Sequence, residues 1–301
     1  PLRRQRQMCI RDRSISGKTR VCAIIGDPVD HSLSPVIHNA AFKELGLNLV
    51  YVAFTVTVQD LKHAVLGAKS LGIKGLNVTM PHKNEVMKYL DDLDLSAKSV
   101  GAVNTILNNQ GKLVGYNTDG KGAMIALQEN GVCSEKKKLV LLGAGGAAQA
   151  IAHEAAQDVK ELVILNRNAD KAKKLVKSLP NNLGASVNSG ILSSNVLERE
   201  LETADILINA TSVGMHPDTE TSPVPVELLR SDLSVMDIIY NPLETKLLKD
   251  AKTAGAKVIS GLEMLIYQGA VAFHIWTNCP APIDVMRKAA LNDLKKRGAD
   301  K

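Results

Sequence analysis

The residues best suited to chemistry sit in short polar clusters that follow β-branched runs. Asn77-Val78-Thr79-Met80-Pro81-His82-Lys83 ends in a lysine, and Asn117-Thr118-Asp119 ends in a carboxylate. A lysine ion-paired to a carboxylate can stabilise an alkoxide developing on a neighbouring ketone and deliver a proton to it, so Lys83 and Asp119 are the candidate acid–base couple. Either residue alone is an ordinary surface charge. Asn104-Thr105 adds hydrogen-bonding groups of the same kind. In Asp30-His31-Ser32-Leu33-Ser34-Pro35, Ser34 suits a helix N-cap and Pro35 the first helical position. Ser32 and Ser34, beside free backbone N–H groups, suit a carboxylate, although alone the segment is also a plain cap.

A second kind of chemistry is written in Lys138-Leu-Val-Leu-Leu-Gly143-Ala-Gly145-Gly146-Ala147-Ala148. An apolar strand runs into G-x-G-x-x-A and then a helix, the context in which this pattern binds a dinucleotide. Gly143 permits the tight turn, and Gly145 lets backbone approach a pyrophosphate. Ala148 lets helix and strand pack closely, and the helix start at Gly146 and Ala147 faces the phosphates. The next strand ends in Asn166-Arg167-Asn168, where an NAD site would carry an acid for the ribose. Arg167 instead offers a planar cationic fork to a 2′-phosphate, with Lys171 one turn further on, so the expected cofactor is NADP. Arg167 also fits an exposed loop arginine, and with Asp170 nearby an NAD-tolerant site stays open.

These segments need scaffolds, and the chain alternates short β-branched runs with helical stretches, the pattern of α/β architecture with a parallel sheet. Strands are expected at 21–25, 50–56, 75–78 and 103–107, with helices at 35–45, 60–70 and around 84–90. A connecting helix follows at 120–130. A second series of strands is expected at 139–142, 162–165, 206–209, 235–238 and 258–259, and the chain is helical from Met264. Two α/β domains result: residues 21–119 with 264–296 bind the substrate, and residues 120–263 form a Rossmann nucleotide domain. The C-terminal helices pack back on the first domain, and residues 1–20 form a disordered basic tail.

Composition narrows the classes. The chain has 301 residues and a formal net charge of +6. Residues 1–20 hold seven of the 37 Lys and Arg and one of the 31 Asp and Glu, so the other 281 residues are balanced. A neutral body is a poor phosphate-backbone binder, and nucleic acid is not an expected partner. No apolar run spans a bilayer, which predicts a cytoplasmic protein with a small-molecule substrate. The four cysteines lack C-x-x-C spacing, and the seven histidines lack an H-x-x-x-H pair, so no metal is expected.

Taken together, the segments resemble the shikimate dehydrogenases. S-L-S-P, N-V-T-x-P-x-K, G-A-V-N-T, N-T-D-G, G-A-G-G-A, N-A-T-S-x-G and G-x-E-M-L-x-x-Q occur in family order and at family spacing from about Val21 to the C-terminal helices. The resemblance implies NADPH-dependent reduction of 3-dehydroshikimate to shikimate, within chorismate and aromatic amino acid biosynthesis, by a monomer or homodimer. It implies that Ser32 and Ser34 hold the substrate carboxylate with Tyr240 close by. Asn77, Thr79, Asn104 and Gln268 would bind ring hydroxyls, Lys83 and Asp119 would catalyse, and Asn209, Thr211 and Gly261 would meet the cofactor. Two departures touch cofactor selectivity: Asn168 replaces the usual Thr or Ser, and Ala148-Gln149 lacks the Ser-Arg of part of the family.

The nearest rival is a quinate/shikimate dehydrogenase of dual specificity, disfavoured by the hydroxyls kept at Ser34 and Thr79. A methylene-tetrahydrofolate dehydrogenase shares the two-domain plan but not S-L-S-P and N-T-D. A catalytically silent NADP-binding sensor would not need both Lys83 and Asp119.

Overall fold

The computed structural model describes residues 15–180 and 183–299. The first fourteen residues of the expected tail lie outside them. Residues 15–20 do not continue it as a tail: Thr19 Oγ1 donates to Asn48 Oδ1 at 2.8 Å, and the first strand already begins at Arg20.

The first sheet contains β1 (Arg20–Gly26), β2 (Leu49–Thr55), β3 (Gly75–Val78), β4 (Asp92–Leu93), β5 (Thr105–Asn109) and β6 (Lys112–Tyr116) in the order β2-β1-β3-β5-β6-β4. It is mixed where a parallel sheet was expected, because β5 runs antiparallel to both β3 and β6. The reversal is a hairpin at Gln110-Gly111, both with positive φ, a conformation that glycine adopts without strain. The helices of this half are α1 (Ser34–Glu44), α2 (Leu61–Ser70) and the short α3 (Leu95–Val100). The stretch after Asn84 is a 3₁₀ turn at Glu85–Tyr89. In α1 the N-cap is Leu33, so Ser34 is the first helical residue instead of the cap.

The second sheet contains β7 (Lys138–Leu142), β8 (Glu161–Asn166), β9 (Ser186–Ile191), β10 (Ile206–Asn209), β11 (Ser234–Asp237) and β12 (Lys257–Ile259). Its order is β12-β11-β10-β7-β8-β9 and every pairing is parallel. That is the doubly wound nucleotide-binding order, whose switch point falls between β7 and β10. Four residues of Lys138-Leu-Val-Leu-Leu142 are buried, as a strand covered by helices on both faces requires. The covering helices are α5 (Gly146–Ala155), α6 (Ala169–Ser178), α7 (Ser194–Leu201) and α8 (Lys246–Thr253).

Three helices join the halves: α4 (Asp119–Glu129), α9 (Gly261–Thr277) and α10 (Ile283–Ala299). A Cβ at Gly122 of α4 would stand 2.6 Å from Gln268 N of α9, so only glycine allows this close crossing. At its far end α9 sends Trp276 into the first half, where the indole donates to Ile106 O at 3.0 Å. Helix α10 lies on α1. The C-terminal helices therefore do pack back on the first half, as the sequence predicted.

Candidate active site

Lys83 and Asp119, 36 residues apart, meet in a cleft between the two sheets: Lys83 Nζ donates to Asp119 Oδ2 at 2.6 Å. Each is positioned from behind. Lys83 follows β3 in a loop anchored by His82, whose Nε2 donates to Val56 O at 2.7 Å from a fully buried ring. Asp119 opens α4, and its backbone N–H donates to Asn117 Oδ1. Its second oxygen, Oδ1, accepts from Asn104 Nδ2 at 2.7 Å.

Asn104 is the hub of this arrangement. Its other amide hydrogen goes to Thr118 Oγ1 at 2.9 Å, while its Oδ1 accepts from Thr118 N at 2.8 Å and Thr105 Oγ1 at 3.0 Å. The amide group expected to bind a ring hydroxyl is thus committed to holding Asp119, although Asn104 still lines the cavity. Asn77 is similarly organised: Nδ2 donates to Asn104 O and Thr105 Oγ1, and Oδ1 accepts from the Tyr51 hydroxyl at 2.6 Å. Both of its donors are used, so towards a ligand Asn77 can only accept. Burial holds the Tyr51 phenol well above its usual pKa, opposed by the Ser34 side chain beside it.

The cavity here holds about 430 Å³ and is lined by Ser32, Ser34, Asn77, Thr79, Lys83, Asn104, Asp119, Tyr240 and Gln268, every expected substrate or catalytic residue. Gly261, expected on the cofactor side, also lines it. The hydroxyls of Thr79 and Tyr240 make no hydrogen bond among the described residues and are free for a ligand. Burial raises the Tyr240 pKa, partly offset by the Arg297 guanidinium, so the phenol stays a neutral donor. Sequence reasoning missed the apolar wall formed by Met80, Ile238, Met264 and Leu265; Met215, at the end of the 209–215 segment expected on the nicotinamide side, completes it. Met80 and Met215 each follow a strand end, the signal available in the sequence, and both are solvent-exposed.

The glycine turn lies beside this cavity, at the switch point. Gly143 has φ +110°, and a Cβ there would stand 2.7 Å from Ala210 O at the end of β10. Around Gly145 and Gly146, by contrast, an added Cβ would meet nothing within 4 Å. The protein itself does not demand glycine there, which fits an open approach for a pyrophosphate to the start of α5. Asn166, Arg167, Asn168 and Lys171 line a separate hollow of about 220 Å³ with Ala144 and Gly145, and no acidic side chain is among them. Asn168 serves there as the N-cap of α6, accepting from Asp170 N and Lys171 N. Ala148 is fully buried against the second sheet. Asn209 is fully buried too: its Oδ1 accepts from Thr211 N and Oγ1, and its Nδ2 donates to Asp237 Oδ1. It therefore shapes the 210–215 loop and does not reach a ligand itself. Burial lifts the Asp237 carboxyl to about 6 against three donated hydrogen bonds.

Among the described residues, no group of three or more His, Cys, Asp or Glu is placed to hold a metal ion, and no helix is long and apolar enough to cross a membrane.

A parallel nucleotide-binding sheet beside a part-buried lysine–carboxylate couple defines an NADP-dependent two-domain dehydrogenase. Three families match successive stretches: "Shikimate dehydrogenase substrate binding domain" over residues 24–106, "Shikimate / quinate 5-dehydrogenase" over 124–238, and "Shikimate 5'-dehydrogenase C-terminal domain" over 261–291. The NADP(+)-dependent shikimate dehydrogenase of Methanocaldococcus jannaschii is 52% identical over 94% of this chain and 100% of its own length. A crystal structure of a shikimate dehydrogenase in complex with NADP+ superposes with a TM-score of 0.86 at 49% identity, covering 93% of this chain and 98% of that one. The shikimate 5-dehydrogenase of Listeria monocytogenes, in complex with shikimate and NAD, gives 0.87 at 41% identity over 91% and 97%. The chain belongs to the shikimate dehydrogenase family.

Proposed function

We propose that this protein reduces 3-dehydroshikimate to shikimate with NADPH in the cytoplasm, as a monomer or a homodimer. The observation that carries the reading is the Lys83–Asp119 pair at 2.6 Å, part-buried in a cavity whose other polar groups are mostly uncharged donors and acceptors, with Asp27 as a further carboxylate. A ketone oxygen beside Lys83 would take the ammonium's proton as negative charge develops on it, and Asp119 keeps that ammonium aimed and charged. Asn104 fixes Asp119, so the couple is preorganised before substrate arrives. Ser32, Ser34 and Tyr240 would receive the carboxylate. Asn77 would accept a hydrogen bond from a ring hydroxyl, since its donors are already in use.

Arg167, Lys171 and the glycine turn at Gly143–Gly146 would hold NADPH, which when bound would supply the hydride. The residues fit it: Arg167 and Lys171 offer two cations to a 2′-phosphate with no acid in the hollow, and Gly145 and Gly146 leave room for the pyrophosphate. The Met80 and Met215 side chains would cover the reacting face and exclude water. The Lys83→Ala variant is expected to lose about 10²- to 10⁴-fold in turnover while binding NADPH normally. Turnover near wild type would remove Lys83 from the mechanism.

A further inference from the structure

The groups set to receive the substrate carboxylate, Ser32, Ser34 and Tyr240, are all neutral, and of the charged side chains lining the cavity Lys83 and Asp119 serve the reacting carbon while Asp27 is itself an anion. A carboxylate taken from water into such a site keeps its hydrogen bonds but loses its counter-charge. The last helix supplies one. Arg297 of α10, 266 residues along the chain from the loop, donates from NH1 to His31 O at 2.7 Å. His31 directly precedes Ser32, and both line the cavity. The Arg297 Nε is ion-paired with Asp293 Oδ2 at 2.5 Å, while NH2 has no partner among the described residues. The side chain is 39% exposed and lies outside the cavity lining, reaching the site through the His31 carbonyl on the loop. Its field reaches the site, since it acts on the Tyr240 phenol.

We infer that Arg297 is the counter-charge for the substrate carboxylate and the strut that holds the Ser32–Ser34 loop against α10. The inference rests on the shikimate reading above. It makes the last helix part of the substrate site, and it gives the side of the cavity at the Ser32–Ser34 loop a sign: ring acids are drawn in with the carboxylate towards that loop and the reacting carbon towards Lys83. A neutral ring of the same shape gains nothing from Arg297.

Steady-state oxidation of shikimate by the full chain, with Arg297→Met and Arg297→Lys, tests this. Arg297→Met is expected to raise the KM for shikimate about 10-fold or more, with kcat within about 3-fold and the KM for NADP+ unchanged. The rise of the wild-type shikimate KM with ionic strength should flatten in that variant, and Arg297→Lys should recover much of both effects. An unchanged KM and salt response in Arg297→Met would overturn the inference. So would a parallel loss of kcat, of both KM values and of the unfolding midpoint, which marks helix docking alone. Failure of the wild type on shikimate would instead strike the functional reading, because these comparisons need an active parent.

Discussion

Asn104 and Asp119 are joined by a 2.7 Å hydrogen bond from Nδ2 to Oδ1, so the carboxylate that pairs with Lys83 is held through both of its oxygens. The consequence is that Asn104 acts on the reaction through Asp119. Replacing it by alanine releases Asp119 and also leaves Thr118 N without its acceptor. The Asn104→Ala variant is expected to lose about 10- to 100-fold in kcat, with NADPH binding retained. Stopped-flow turnover beside a fluorescence titration with NADPH separates the two, and an effect on the substrate KM alone would return Asn104 to simple hydroxyl binding.

Cofactor choice is expected to reside in Arg167, with Lys171 adding to it. A charge-assisted contact to a phosphate contributes about 1.5–3 kcal/mol, so Arg167→Ala should raise the KM for NADP+ about 10- to 100-fold. The KM for NAD+, which lacks the 2′-phosphate, should hardly change. Equal losses with both cofactors would mean that Arg167 supports the loop between β8 and α6 and does not read the phosphate.

Stability should depend on pH through His38. Its ring is fully buried, stacked at 4.6 Å on Tyr51, and neither nitrogen has a hydrogen-bond partner among the described residues. Burial pushes its pKa down to about 3 from 6.5. Below pH 6.5 the unfolded chain therefore takes up a proton that the folded chain refuses, and stability falls between about pH 6.5 and 3, by a few kcal/mol at the acid end. The buried Asp237 runs the other way: with its pKa raised from 3.8 to about 6, its contribution is lost as pH rises through that window. Denaturant unfolding of wild type and His38→Phe isolates the histidine. The difference between them should be constant above about pH 6.5 and shift steadily in favour of the variant below it. A constant difference down to pH 4 would contradict the buried neutral ring.

Much of this was legible from residue patterns, for identifiable reasons. The second sheet announced itself because β7, β8 and β10 are buried on both faces and read as unbroken apolar runs. Strand β9 was missed because Ser186–Ile191 is a half-exposed edge in which Ser186, Asn188, Ser189 and Gly190 leave only two apolar residues. Strand β6 was missed because its five residues follow a Gln-Gly turn in place of the stronger Asn-Gly signal, and this hairpin is what makes the first sheet mixed. Among the site residues, those on strand ends and loops stood out as polar clusters. Tyr51 did not, since a buried tyrosine on β2 looks like core until its hydroxyl is seen on Asn77. Nor could spacing reveal that Asn104 and Asn209 spend their amides on Asp119 and Asp237, because that depends on which side chains the fold brings beside them.

The most direct test of the account is the oxidation of shikimate and of quinate, each with NADP+ and with NAD+, followed by the absorbance of the reduced nicotinamide. The account predicts fast turnover with shikimate and NADP+, with the other three combinations far slower. No turnover in any of the four, from a protein that still binds NADPH, would contradict it and leave the Lys83–Asp119 pair without the role assigned to it.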